Sequence, residues 1–180
     1  MSNPLVLSFT SALCVQFERF CMSELPKLPD LVVLVADPSV HMRRIVREIL
    51  LRAGIRRIIE ASDGADALGQ YTTLVPDIVI LEWDMPMLSG EDFIRLARTS
   101  PETNKRDTPI IVTLSNPQKT TVDMAIKLGI HDILAKPLSP KVLCTRMHAS
   151  VLRAREAQRQ RVKAMRLPGG SQSKPVAARA

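Results

Sequence analysis

The sequence predicts an α/β domain, a doubly wound, five-stranded parallel sheet with helices on both faces, continued by a basic C-terminal helical extension. Three observations predict it. Five short apolar runs follow one another, at residues 31–36, 55–59, 77–81, 109–114 and 131–135. They are apolar on both faces rather than alternating, as strands covered from both sides require. Segments with helical spacing lie between them, and that alternation builds a parallel sheet.

"LVVLVA" (31–36) is the strongest strand signal. Met42, Ile45, Val46, Ile49 and Leu50 then recur at the interval that gives a helix one buried face. "IRRII" (55–59) is a weaker strand, and "GADALG" (64–69) starts a helix. That short segment is no nucleotide cradle, because neither a phosphate-binding glycine loop nor a dinucleotide fingerprint is present. "DIVIL" (77–81) leads directly into Glu82 and Trp83, and Phe93, Leu96 and Ala97 mark a later helix. "PIIVTL" (109–114) and "HDILA" (131–135) complete the sheet. A last helix begins after "PLSP" (137–140), with Leu143, Met147 and Val151 forming an apolar stripe at every fourth residue.

Right-handed crossovers bring the carboxyl ends of all five strands to one edge, where open α/β sheets hold their sites. The residues predicted at that rim are Asp37, Glu60, Glu82, Ser115 and Lys136, with Thr113 close by. Glu82 stands out, because it follows four apolar residues and precedes a tryptophan. A wet loop does not explain a carboxylate in that setting.

The chain has 180 residues, 46% of them apolar, enough for one core with extensions. The formal charge of +7 is confined to the end of the chain. Eight cations and one acid follow Leu152, so residues 1–152 sum to zero. The expected organisation is an N-terminal extension (1–29) lacking regular structure, with Met22 as a second possible start, a folded domain (30–152), and a basic helix with a tail (153–180). Cys14, Cys21 and Cys144 form neither a disulfide framework nor a zinc pattern, which suits free thiols in a reducing cytoplasm. No secretory signal or membrane span is expected, so the predicted location is cytoplasmic. His41, His131 and His148 have no metal-site spacing and read as surface or structural residues. The cations Arg153, Arg155, Arg159, Arg161, Lys163 and Arg166 leave several roles open: solubilisation, or binding of nucleic acid, an acidic protein, an anionic membrane or a cyclic dinucleotide. No aromatic residue accompanies them for base stacking.

Residues 31 to about 152 resemble the receiver domain of bacterial two-component response regulators, the CheY-like version of the flavodoxin-like fold, over its whole length. The segments that carry the resemblance are "VLVADPSVHMRRIVREIL", "EASDGADAL", "PDIVILEWDMPMLSGEDFIRLAR", "PIIVTLS" and "LGIHDILAKPLSP". The resemblance implies a phosphorelay module that accepts a phosphoryl group from a histidine kinase onto an aspartate, with a divalent cation, Mg2+, neutralising the developing charge. Partner binding is expected through the face of the fourth and fifth helices and fifth strand, and no enzymatic turnover is expected, because no second substrate site is visible.

The match at the site is partial. The resemblance assigns Glu82 to the phosphoacceptor position, Thr113 and Lys136 to phosphate sensing, Ile133 to the position of an aromatic switch residue, and Asp37 and Asp84 to the metal site. Asp84 corresponds to a backbone-carbonyl ligand, and the bond between Lys136 and Pro137 is cis in the family. The pair of metal-side acids is reduced to Ala36-Asp37. A glutamate is longer than an aspartate by about 1.5 Å of bond, and a misplacement of about 1 Å can cost in-line chemistry roughly a hundredfold. Phosphorylation is therefore not expected, and the Mg2+ site is expected to be weak or absent. The carboxylate is expected instead to pair with Lys136 and accept a hydrogen bond from Thr113. With one charge against the roughly −1.5 to −2 of a phosphate group, it would be a partial mimic or the remnant of a lost switch. The expected function is a stand-alone, atypical pseudo-receiver that binds a histidine kinase, an output protein or a scaffold. The alternative is an effector that binds nucleic acid or a cyclic dinucleotide through residues 153–166.

Overall fold

The computed structural model describes residues 30–101 and 106–166. The N-terminal extension with Cys14, Cys21 and Met22, and the tail after Arg166, lie outside the described residues. The chain alternates β1 (Val32–Ala36), α1 (Val40–Arg52), β2 (Arg57–Ala61), α2 (Gly64–Leu74), β3 (Ile78–Glu82), α3 (Gly90–Thr99), β4 (Ile110–Leu114), α4 (Lys119–Lys127), β5 (Asp132–Ala135) and α5 (Pro140–Arg166). All neighbouring strands pair in parallel, in the order β2-β1-β3-β4-β5. This is the doubly wound five-stranded sheet that the apolar runs predict.

Strand residues divide between two cores because successive side chains point to opposite faces. Val33, Val35, Ile78, Ile80 and Ile111 pack with Val46, Ile49 and Leu50 of α1 and Leu143, Met147 and Val151 of α5. Leu34, Val79, Leu81, Ile110 and Val112 pack on the other side with Ala67 and Tyr71 of α2 and Phe93, Ile94 and Ala97 of α3. Tyr71 and Phe93 meet edge to face, 5.4 Å between ring centres. The stripe Leu143, Met147, Val151 is buried, as its spacing requires. Cys144 lies beside it, and burial pushes its thiol up to about 11.

Polar residues fix where the helices begin. Ser39, Asp63 and Ser89 accept from the amides of Met42, Asp66 and Asp92 and cap α1, α2 and α3. Two glycines let the β3–α3 loop fold back. A Cβ on Gly64 would lie 1.9 Å from the Leu88 carbonyl oxygen, and one on Gly90 would lie 2.9 Å from the backbone oxygens of Glu82 and Trp83. Neither position has room for a side chain.

Several local expectations need correction. The second strand runs from Arg57 to Ala61 rather than over 55–59, because Gly54, at φ 91°, turns the chain after α1 and Ile55 anchors in the core before pairing begins. Glu60 consequently lies within β2, opposite Val35. Leu96 is 47% exposed, because α3 buries Gly90, Phe93, Ile94 and Ala97, the other side of that helix. Glu82 is the last residue of β3 itself rather than the first residue beyond it. The final helix, by contrast, runs on past the fold to Arg166, as its composition predicts.

Candidate functional site

At the carboxyl edge of the sheet, β1, β3, β4 and the turn after β5 bring four side chains together: Asp37, Glu82, Thr113 and Lys136. Glu82 is 3% exposed, and Thr113 and Asp37 are buried with it. Parallel register sets Glu82 opposite Thr113, and the Thr113 hydroxyl donates to Glu82 Oε2 at 3.2 Å. The ammonium of Lys136 forms an ion pair with the same oxygen, and it also donates to Asp37 Oδ2 at 2.7 Å. The Lys136-Pro137 peptide bond that follows is cis.

The remaining acceptors are filled by backbone. Glu82 Oε1 accepts from the amides of Trp83 at 3.1 Å and Asp84 at 3.4 Å. Asp37 Oδ1 accepts from the Ser39 amide at 2.8 Å, and the Asp37 carbonyl accepts from Arg43 at 2.7 Å. A buried carboxylate is tolerated only when its oxygens are satisfied in this way. Burial works to lower the lysine's proton affinity, but hydrogen bonds and charge from Asp37 and Glu82 outweigh it and hold the Lys136 pKa above its ordinary value. One ammonium thus bridges two carboxylates.

The other predicted residues lie elsewhere. Glu60 does not join the cluster, because its carboxylate is bound by Arg43 at 3.4 Å and Arg47 at 3.1 Å on α1. Ser115 and the side chain of Asp84 are exposed. Ile133 packs on the α2–α3 side of the sheet in company with Val122, Leu128 and Ile130. Arg43, which ties the Asp37 carbonyl to Glu60, was not singled out from sequence. Its signal was the pair Arg43 and Arg47, one turn apart on a helix facing β2.

The residues present fit a divalent cation poorly. Ala36 offers no ligand, and both Asp37 oxygens are engaged, one by an amide and the other by an ammonium. Among the described residues, no group of three or more His, Cys, Asp or Glu side chains is placed to hold a metal. A cation entering between Asp37 and Glu82 would have to displace the charge of Lys136.

The extension cations divide into two sets. Arg153 reaches toward Asp132 of β5 at 4.0 Å, and Arg161 pairs with Asp107 in the loop before β4. Arg155, Arg159 and Lys163 are exposed. Arg166 ends the helix.

Residues 33–148 match the response regulator receiver domain. The chain belongs to that family, the receivers of two-component signalling. It is 31% identical to chemotaxis protein CheY1 of Helicobacter pylori over 112 residues, which are 62% of this chain and 89% of that protein. It is 39% identical over 110 residues to a protein-glutamate methylesterase/protein-glutamine glutaminase 1 of Myxococcus xanthus, a match that spans 60% of this chain but 30% of that longer protein. Among solved structures, chemotaxis protein CheY4 of Vibrio cholerae superposes with a TM-score of 0.61 at 25% identity, covering 67% of this chain and 98% of that one. The receiver domain of the Francisella response regulator 1452 gives 0.62 at 27%, covering 69% and 98%. No helix among the described residues is long and apolar enough to cross a membrane.

Proposed function

We propose that this receiver signals by binding a partner protein without being phosphorylated, and that Glu82 stands in the phosphoacceptor position as a partial, permanent substitute for the phosphoryl group. The observation that carries the reading is the placement of one glutamate oxygen, Glu82 Oε2, against both Thr113 and Lys136. Those are the two groups that bind phosphoryl oxygens in a receiver of ordinary pattern. With both occupied by a side chain of the protein, an incoming phosphoryl group has neither a free acceptor nor free donors. The domain is then a binding module with no turnover of its own, and its partner is a kinase, an output protein or a scaffold of a two-component pathway. The partner surface is the face of α4, β5 and α5.

Backbone amide NMR of the parent and of Glu82→Ala tests the reading without a known partner. If Glu82 holds the signalling state, its removal shifts resonances beyond the site, through Thr113 into β5 and α4. Changes confined to the immediate neighbours of residue 82 would mean that the carboxylate is a remnant and controls nothing.

A second reading concerns the extension, as an element that binds nucleic acid or a cyclic dinucleotide. It is favoured by the continuity of α5 through Arg166, which presents Arg155, Arg159 and Lys163 as a rigid cationic face. Deleting residues 153–180 should then abolish DNA binding, which should also weaken steeply with salt.

A further inference from the structure

We propose that the cavity between the amino-terminal ends of β4 and β5 and the projecting part of α5 is a binding site for a compact polyphosphorylated small molecule, of the pyrophosphate or nucleotide type. It lies at the opposite edge of the sheet from Glu82, and it does not depend on the reading given to that residue.

The cavity measures about 520 Å³, within the range of small-molecule sites. Its described lining includes five permanent cations, Arg98, Arg106, Lys127, Arg153 and Arg161, against a single acid, Asp107. Asp107 is already paired with Arg161, and Arg153 reaches toward Asp132, so the surplus of positive charge rests on Arg98, Arg106 and Lys127. The cations come from four separate parts of the chain: the end of α3, the loop before β4, the end of α4, and α5. Nothing in the run of basic residues along α5 announces this convergence.

Arg98 forms the fixed part of the wall. Its guanidinium donates to the carbonyls of Gly129 at 3.0 and 3.2 Å, Arg106 at 2.8 Å and Thr108 at 3.0 Å. These acceptors are neutral, so they orient the charge without cancelling it. Burial lowers the Arg98 pKa, the cost expected of a half-buried cation. His131, also in the wall, accepts from the Ile110 amide through Nδ1 and is pushed down to about 4. Burial is the first cause, followed by the charges of Arg98 and Arg153, with Asp107 opposing. The two guanidinium groups thus add to an effect that burial begins. Among the described residues no Phe, Tyr or Trp lines the cavity, so phosphate charge rather than base stacking would provide recognition. The convergence of cations from loops and helix ends on one depression suits a compact ligand better than an extended duplex.

The test uses the full chain, inorganic pyrophosphate, ATP and a short DNA duplex, with affinity from calorimetry and the His131 ring signals followed by NMR. Pyrophosphate and ATP should bind at one site and raise the His131 pKa, because a bound anion offsets Arg98 and Arg153. The double change Lys127→Glu with Arg153→Glu, both exposed positions, should weaken binding about tenfold or more, as reversal of two close charges requires. Arg155→Glu with Arg159→Glu, an equal charge change outside the cavity, should have a much smaller effect. Equal losses in the two variants would overturn the proposal in favour of diffuse attraction to α5. Binding of the duplex that pyrophosphate fails to displace, with His131 unmoved, would overturn it in favour of a nucleic-acid surface.

Discussion

The ammonium of Lys136 lies 2.7 Å from the carboxylate of Asp37, although the two residues are 99 positions apart in the chain. Because the same ammonium pairs with Glu82, the edge of the sheet is closed by a bridge from β1 to β3 through the turn after β5. On the function proposed for Glu82, that bridge fills the space in which a receiver of ordinary pattern would assemble metal and phosphoryl group.

Lys136→Met should therefore be far more damaging than a surface lysine change. It leaves two buried carboxylates facing each other without a counter-charge, and breaking a buried pair from one side costs about 3–5 kcal/mol. Adding Glu82→Gln should recover part of the loss by removing one of the stranded charges. Urea denaturation of the single and double variants measures both. The pH dependence has a definite sign. A raised lysine pKa means that the bridge contributes fully below the ordinary value of 10.5 and is lost only as pH climbs past the folded value. Acidification to mildly acidic pH should leave this contribution intact.

His131 predicts the opposite trend at the other edge of the sheet. Its folded pKa of about 4 lies below the ordinary 6.5, so the unfolded chain binds a proton in that window that the folded chain refuses. Its contribution is complete above pH 6.5 and is lost as pH falls toward 4. His131→Asn, which keeps an acceptor for the Ile110 amide, should flatten this part of the stability-against-pH curve while changing stability at neutral pH by about 1 kcal/mol or less.

Thr113→Val removes the hydroxyl that donates to Glu82 at 3.2 Å while keeping the shape of the strand residue. Leaving a buried carboxylate one donor short should cost about 1–3 kcal/mol. Thr113→Ser should retain most of that interaction. The two substitutions, compared by thermal unfolding, separate the hydrogen bond from the packing of the side chain.

Gly64→Ala should be destabilising although alanine ordinarily favours a helix. The added Cβ would fall 1.9 Å from the Leu88 carbonyl oxygen, so the loop that carries Trp83 to Leu88 must move. Forced repacking of this kind costs typically about 1–3 kcal/mol. A drop in the unfolding midpoint accompanied by altered Trp83 fluorescence would show that the loop has shifted, and an unchanged midpoint would contradict the close approach.

Most of the fold was legible because its signals are local. Runs such as Val32–Ala36 and Ile110–Leu114 are apolar on both faces, and the stripe Leu143, Met147, Val151 marks the buried side of the last helix. The second strand was misplaced for a local reason as well. Ile55 looks like a strand residue, yet it is a loop residue anchored in the core after the turn at Gly54. That same displacement puts Glu60 at the rim in a reading of the sequence, whereas it pairs within β2. The cluster of Asp37, Glu82, Thr113 and Lys136 could be anticipated because parallel strands deliver their ends to one edge. The cationic cavity could not, because its members come from loops and helix ends, whose meeting depends on how Arg98 and the far half of α5 settle against the sheet.

If the protein's own charges already fill the acceptor site, a phosphoryl donor finds nothing to react with. Intact-mass spectrometry after incubation of the full chain with acetyl phosphate and magnesium decides the matter. The mass should stay unchanged; a stoichiometric gain of one phosphoryl group that disappears in Glu82→Ala would show that the site is open and Glu82 an acceptor.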